Sequence, residues 1–430
     1  MKMNGGTWVR TALAGLATLA LATLVACGGG GSSDGATAAP GSGGSGSAAS
    51  MGTLNLSLTD GPACGYDNVW ITVEKVRVHR SGTAGDDDAG WIDVPLPLVP
   101  PATTPQPLRV DLLTRTNGVL VPLGRVQLPA GTYTQLRLVL APNTASDPFT
   151  IAVTPTGTGT VALTTPSAQQ SGLKMKVGLD VPAGQEADFV IDFDACKSIV
   201  EAGNSGKILL KPVLTVLSVL SPAVQRIAGW LDPTLAVAGT TVSVQSAGQV
   251  VRATPPQRDA GGNLGFVLHP VPVGSFDLVV TAAGRSSAVV TGVPSYAATS
   301  TTLNSLAFPI VPPTATPRGV SGTVSVGASA VDTGGVVRAL QTLDGGPTIE
   351  VASANAAADT GLYQLVVPLD APIKATYVSG TTPLLFVPDG SAQGQFLLSA
   401  TITRSSQVLT APIADGSAAV VQDFAFAAAP

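Results

Sequence analysis

Charge is scarce in this chain: 11% of its 430 residues are Asp, Glu, Lys or Arg. A long amphipathic helix needs Lys, Glu, Arg and Gln along its wet face, so a protein built mainly from such helices is excluded. Histidine is scarcer still. His79 and His269 are the only two, which leaves little for acid–base work near neutral pH, and both are read as surface or edge residues. With 22 basic residues, 27 acidic ones and a net charge of −5, no basic cluster forms. The phosphate-neutralising stripe of a nucleic-acid-binding protein is therefore missing. Aromatics make up 4% of the chain, too few for extended stacking platforms. No apolar run after residue 27 reaches the roughly 20 residues that span a bilayer. No G-x-S-x-G nucleophile elbow occurs, and no Cys/His cluster is spaced to hold zinc.

What is present is Val, Leu, Ile and Thr, broken by 49 Gly and 34 Pro. That is the composition of strands and turns, and it predicts an all-β chain of tandem β-sandwich domains.

The N-terminus carries Lys2 and Arg10, no acid, and then an uncharged apolar run from Thr11 to Val25. A run of roughly 15 residues is short for a bilayer span and has the proportions of a signal-peptide core. It ends in Leu24-Val25-Ala26-Cys27, which resembles the bacterial lipobox: an aliphatic residue, a small residue, then the lipid-accepting cysteine. The resemblance implies a signal peptide over 1–26, cleaved ahead of Cys27, and acyl chains on Cys27. One chain anchors only marginally, at about 0.8 kcal/mol per buried methylene, whereas two or more hold stably. Gly28, rather than Asp, follows the cysteine. In Gram-negative lipoproteins that resembles default sorting to the outer membrane, so the expected location is the cell envelope, facing periplasm or cell surface. After Cys27, residues 28–50 are almost wholly Gly, Ser, Ala and Thr. The 27–50 segment is thus expected to be a disordered tether with a reach of roughly 25–30 Å. Gly41, Gly43 and Gly46 satisfy a dinucleotide-binding pattern there by composition alone, with no strand before and no helix after.

From Met51 the pattern changes. Leu54, Leu56 and Leu58 alternate with polar residues, the period of a half-buried strand, and run into the turn Thr59-Asp60-Gly61-Pro62. Val69, Ile71 and Val73 begin a second strand whose phase slips at Glu74-Lys75, as a bulge would cause. Pro129 to Tyr133 opens another strand, with Leu136, Leu138 and Leu140 on one face. Phe189, Ile191 and Phe193 form the apolar face of a further strand, with Asp188, Asp192 and Asp194 opposite. Ile208 to Leu220, apolar on both faces, reads as one central strand. Asp111 to Arg115 alone suggests a helical turn. In this order, Thr59-Asp60-Gly61-Pro62, Asp111-Leu112-Leu113, Pro129-Ala130-Gly131-Thr132-Tyr133, Asp192-Phe193-Asp194-Ala195-Cys196-Lys197 and Leu210-Lys211-Pro212-Val213 resemble the bacterial and archaeal lipoprotein family called domain of unknown function 4382. The resemblance covers 51–221 and implies a β-sandwich-like envelope domain, without an established activity.

Ile227 to Leu231, Gly239 to Val244, the turn at Asp259 to Asn263, Pro272 to Val280 and Ala283-Gly284-Arg285 resemble a carboxypeptidase regulatory-like, transthyretin-related sandwich over 223–311. Pro312, Pro313 and Pro317 read as a stiff linker at 312–318. Gly319 to Val324 and Gly361 to Pro368 restart the same pattern, so 319–430 is expected to hold a second, divergent copy.

Two cysteines besides Cys27 remain. In an oxidising compartment Cys64 and Cys196 are expected to form a disulfide, with two free buried thiols as the alternative. A bridge would draw Asp60, Asp192 and Asp194 to one sandwich edge, an oxygen-rich set that suits calcium; the alternative is acids that face solvent or cap turn amides. No other cofactor is implied. Asp86-Asp87-Asp88 reads as a solvated hairpin tip, and Gly203 to Lys207 lacks the spacing of a phosphate loop. The reading is of a membrane-anchored, non-catalytic lipoprotein that binds an envelope protein, a glycan or a cation, or gives structural support. The competing class is a carboxylate-based hydrolase such as a glycosidase, which needs two carboxyls about 5–9.5 Å apart in a cleft. Asp192 with Asp194, or the 86–88 loop, would have to supply them.

Overall fold

The computed structural model describes residues 50–61, 65–165, 172–219, 225–327, 334–380, 383–403, 405–413, 416 and 418–428. Cys27 with its leader and tether, and Cys64, lie outside the described residues. What is described is all-β, with separate sheets packed as sandwiches in tandem.

In the first module, alternating Leu54, Leu56 and Leu58 point inward and are fully buried. Their strand, Met51–Asp60, sits inside a four-stranded sheet in the order Leu214–Val219, Glu186–Phe193, Met51–Asp60, Val121–Pro129. It runs parallel to Glu186–Phe193, pairing Thr59 with Asp192 and Asp60 with Phe193. Parallel neighbours cannot be joined by a tight turn, and strands of the facing sheet, from Tyr66–His79 to Leu173–Val181, come between the two in the chain. Both strands then end at the same edge. The facing nine-stranded sheet is organised around Tyr66–His79, which pairs with Ile92–Val94, Leu108–Asp111, Gly131–Leu140 and Ala152–Pro155. Its register slips between Val73 and Lys75, where the sequence phase changes. The helical turn is a short 3-10 segment, Leu112–Thr114, capped by Asp111 accepting from the Leu113 N–H at 3.3 Å.

The Ile208–Leu220 run is not one strand. Lys207–Leu210 belongs to the nine-stranded sheet and Leu214–Val219 edges the other. Pro212, which has no N–H to give a ladder, lies in the crossing between them. An unbroken apolar run cannot reveal a change of sheet, because each half buries one face.

The middle module packs Thr301–Thr302, Ile227–Leu231, Leu264–Leu268 and Gln257–Arg258 against a sheet led by Gln249–Thr254, Thr240–Ser246, Gly274–Ala282 and Ala288–Ser295. That second sheet does not stop where the sequence pattern does. Ile373–Thr376 pairs in parallel with Ala288–Ser295, and Val387–Pro388 closes the edge beside it. Ile373, Tyr377, Leu384 and Phe386 pack against the middle core. Residues from the chain's last part thus complete the middle sandwich. Lys374 and Asp389 fasten the hairpin with a 2.9 Å ion pair. Burial alone would raise the Asp389 pKa, but Lys374, Ser391 and the Asp344 N–H outweigh it and hold the carboxyl at about 2.

The last module sets Leu362–Pro368, Pro317–Val326, Val420–Val421 and Phe424–Phe426 against Thr348–Asn355, Val336–Thr342, Phe396–Thr401 and Val408–Ile413. The proline-rich stretch before it is not a free spacer. Ser286 N–H donates to Pro313 O and Ala315 N–H to Gly284 O, both at 2.9 Å, and Pro317 already opens a strand. Among the described residues no helix is long and apolar enough to cross a membrane.

Candidate functional site

The common edge where Met51–Asp60 and Glu186–Phe193 end is the point from which all three modules are joined. Asp194 leaves the strand and caps the short helix Ala195–Ser198, accepting from the Lys197 N–H at 3.0 Å. Its other oxygen lies 3.2 Å from Lys197 Nζ. Burial lowers the Lys197 pKa, but Asp194 and Glu350 outweigh it and hold the ammonium above the ordinary lysine value. A helix end leaves carbonyls without partners. Asn355 of the last module supplies donors, reaching the oxygens of Cys196, Lys197 and Ile199 at 3.3, 3.0 and 3.1 Å.

The middle module reaches the same edge through Arg252, which is 1% exposed. Its guanidinium pairs with Asp192 and donates to Thr59 Oγ1 at 2.9 Å and Asp60 O at 3.2 Å. Asn117 of the first module adds two bonds, its N–H to Thr254 Oγ1 at 2.7 Å and its Oδ1 accepting from the Val267 N–H. Middle and last modules are tied by Gln245, whose amide donates to Glu350 O at 2.9 Å and accepts from the Glu350 N–H at 2.7 Å.

These ties correct the expectations about the acids. Asp60, Asp192 and Asp194 do gather at one edge, and the cause is the parallel register of their strands. They do not form a calcium cage: Asp192 is paired with Arg252, and Asp194 caps a helix and holds Lys197. Asp60 is fully buried, with one oxygen accepting from the Ala195 N–H at 3.0 Å. Among the described residues no group of three His, Cys, Asp or Glu side chains could hold a metal ion. The same engagements remove Asp192 and Asp194 as a hydrolytic pair. Asp86, Asp87 and Asp88 are exposed, as a solvated tip would be, and Arg137 binds the Asp86 carboxylate and holds its pKa below the usual value. His79 is half-buried; its Nδ1 accepts from the Ser81 N–H and its Nε2 donates to Ala89 O, each at 2.9 Å. His269, expected at the surface, is 2% exposed inside the middle module. Gly203 to Gly206 form a plain turn whose Asn204 N–H meets Asp359 at 2.8 Å.

Burial pushes the Asp60 carboxyl well above its ordinary value, and Asp192 and Asp194 add to the rise. A carboxyl whose folded pKa exceeds its unfolded one binds its proton more tightly in the folded state. Stability is then lost as pH climbs from about 4 through the folded pKa, the reverse of the ordinary paired acid. Asp60→Asn keeps the oxygen that accepts from Ala195 and removes the ionisation. The variant should gain on the wild type in melting temperature between pH 4 and pH 8. Parallel curves across that range would refute the assignment.

Around this junction the modules do not close fully. They leave a cleft of about 1180 Å³ whose walls come from all three, with Lys197 and Glu201 from the first, Thr241 and Ser243 from the middle, and Ser321 and Gln364 from the last. Sequence reasoning missed Arg252, Gln245 and Asn355. Arg252 carries a readable signal, a lone charge in the strand Gln249–Thr254, but nothing in the sequence names its partner.

A family model described as "Domain of unknown function (DUF4382)" matches residues 51–212. No curated protein matches the chain. Among solved structures it is similar to the Bacillus anthracis TIE protein at 9% identity and TM-score 0.17, covering 87% of this chain and 50% of that one. The chain therefore spans half the length of that protein. It is also similar to a Streptococcal ancillary pilin (9% identity, 87% and 98% covered, TM-score 0.15). The Corynebacterium diphtheriae major pilin SpaA gives 12%, 87% and 99%, with TM-score 0.17. With TM-scores this low, nothing about this chain's role follows from those likenesses.

Proposed function

We propose that this chain is a lipid-anchored protein of the bacterial envelope that acts without catalysis, presenting interlocked β modules as a rigid binding body. The observation that carries the binding role is the cleft at the three-module junction, framed by hydrogen bonds between every pair of modules. A site shared by three modules is only as constant as their relative placement. Arg252 and Gln245 are buried where the modules meet, and a shift of one module against its neighbour that kept water out would leave their donors unpaired, so they fix that placement. The middle module fits the role of a carboxypeptidase regulatory-like support, and the address rests on Leu24-Val25-Ala26-Cys27.

Cys27→Ser should abolish palmitate labelling and move the protein from the membrane to the soluble fraction; unchanged labelling would end the anchor reading. In the same preparation, non-reducing peptide mapping should find the Cys64 and Cys196 peptides joined. Two alkylatable thiols would refute the bridge.

A further inference from the structure

We infer that the junction cleft takes an uncharged oligosaccharide; this rests on the reading of the cleft as the binding site. The walls include the edge strands Thr348–Asn355 and Leu362–Pro368, and the Glu350 backbone on the first is taken up by Gln245; side-chain hydroxyls and amides line the rest. On the middle module Thr241 stands opposite Thr281 across the strand pair, with Ser243, buried and accepting from the Gln245 amide at 3.0 Å, two residues along. On the last module Ser321 stands opposite Gln364, and Ser353 is exposed on the neighbouring sheet. Residues two apart on one strand face stand about 7 Å apart, so these walls offer repeated short polar contacts. A ligand with hydroxyls along its whole length answers such walls.

Charge narrows the class further. The charged side chains in the walls are Asp194, Glu201, Glu350, Asp423 and Lys197. The base among them is ion-paired with Asp194. Nothing in the walls is left to welcome a phosphate, sulfate or uronate, and the surplus acids repel them. Size points the same way, because about 1180 Å³ exceeds the roughly 300–1,000 Å³ of ordinary small-molecule sites. Several sugar units fit where one would rattle.

The test immobilises the full chain and titrates it with maltohexaose and chitohexaose as neutral probes and hexagalacturonate as the acidic one. Saturable binding of a neutral hexamer is expected, with none of hexagalacturonate. Ser353→Trp and Gln364→Trp, both at exposed wall positions, should each weaken it by about tenfold or more. Ala145→Trp, exposed outside the cleft, should leave it unchanged. Preference for the acidic hexamer, or no saturable binding of either neutral one, overturns the inference. In that event, a protein captured from envelope extract by the wild type and lost with Ser353→Trp would leave the binding reading standing. Capture indifferent to Ser353→Trp would bring down both.

Discussion

Asp192→Ala should destabilise the folded chain by about 3–5 kcal/mol, the range for removing one partner of a buried ion pair. The reason lies in what is left behind. Arg252 is 1% exposed and its guanidinium cannot shed its proton, so the variant strands a permanent cation between two modules. Thr59 Oγ1 and Asp60 O remain as acceptors, but neither carries charge. Arg252→Ala should be milder, because the residue stranded there is an acid. Burial already pushes the Asp192 pKa up, with Arg252 pulling it only partly back, and loss of Arg252 lets it rise further. The carboxyl then takes up a proton in the folded state, so the Arg252→Ala deficit should shrink at pH 5 and grow toward pH 8. Removing both charges together, as Asp192→Leu with Arg252→Met, should cost less than Asp192→Ala alone, since desolvation weighs against any buried pair. Urea unfolding of the four proteins decides the matter. An Asp192→Ala midpoint indistinguishable from wild type would mean the guanidinium is not confined as described.

Gly322→Ala should dislodge the C-terminal strands. A Cβ at this position would stand 1.8 Å from the Gln422 carbonyl oxygen and 2.6 Å from its carbon, both backbone atoms that no side-chain rotation can move aside. The glycine is there for close approach. It lets Val420–Val421 and Phe424–Phe426 lie in parallel against Pro317–Val326, with the Gln422 N–H donating to Ser321 O at 2.8 Å. Phe424 and Phe426 are buried in the last core, and full burial of each is worth about 1.5–3 kcal/mol. Hydrogen exchange should show protection lost across 418–428 and kept in the first module, with a lower melting temperature. Because Gly322, Val421 and Asp423 line the cleft, saccharide binding should fall with it. Unchanged protection at 418–428 would contradict the packing.

Much of the fold was legible because inward apolar residues alternate along strands with one dry face. Leu54, Leu56 and Leu58, and Phe189, Ile191 and Phe193, are buried as their period requires. Turns were legible for the same kind of local reason: Asp259 accepts from the Gly261 and Asn263 N–H groups at 2.8 and 2.9 Å, as a short carboxylate in a turn does. What stayed hidden was long-range. The parallel return of Glu186–Phe193 to Met51–Asp60 leaves no mark on either strand, yet it gathers the acids. Ile373 and Phe386 look like residues of the last module, and only pairing with Ala288–Ser295 assigns them to the middle one. The candidate site was the least legible of all. Its ties are single residues, Arg252, Gln245 and Asn355, each meaningful only beside a partner more than fifty positions away.

That three modules behave as one body is most directly tested by small-angle X-ray scattering of residues 49–430, the compact part of the chain. One rigid three-module particle should fit the profile, unaltered when salt is raised from 0.1 to about 1 M, because buried pairs are little screened. A profile that needs an ensemble of extended arrangements, or that lengthens with salt, would contradict the locked junction and the shared cleft with it.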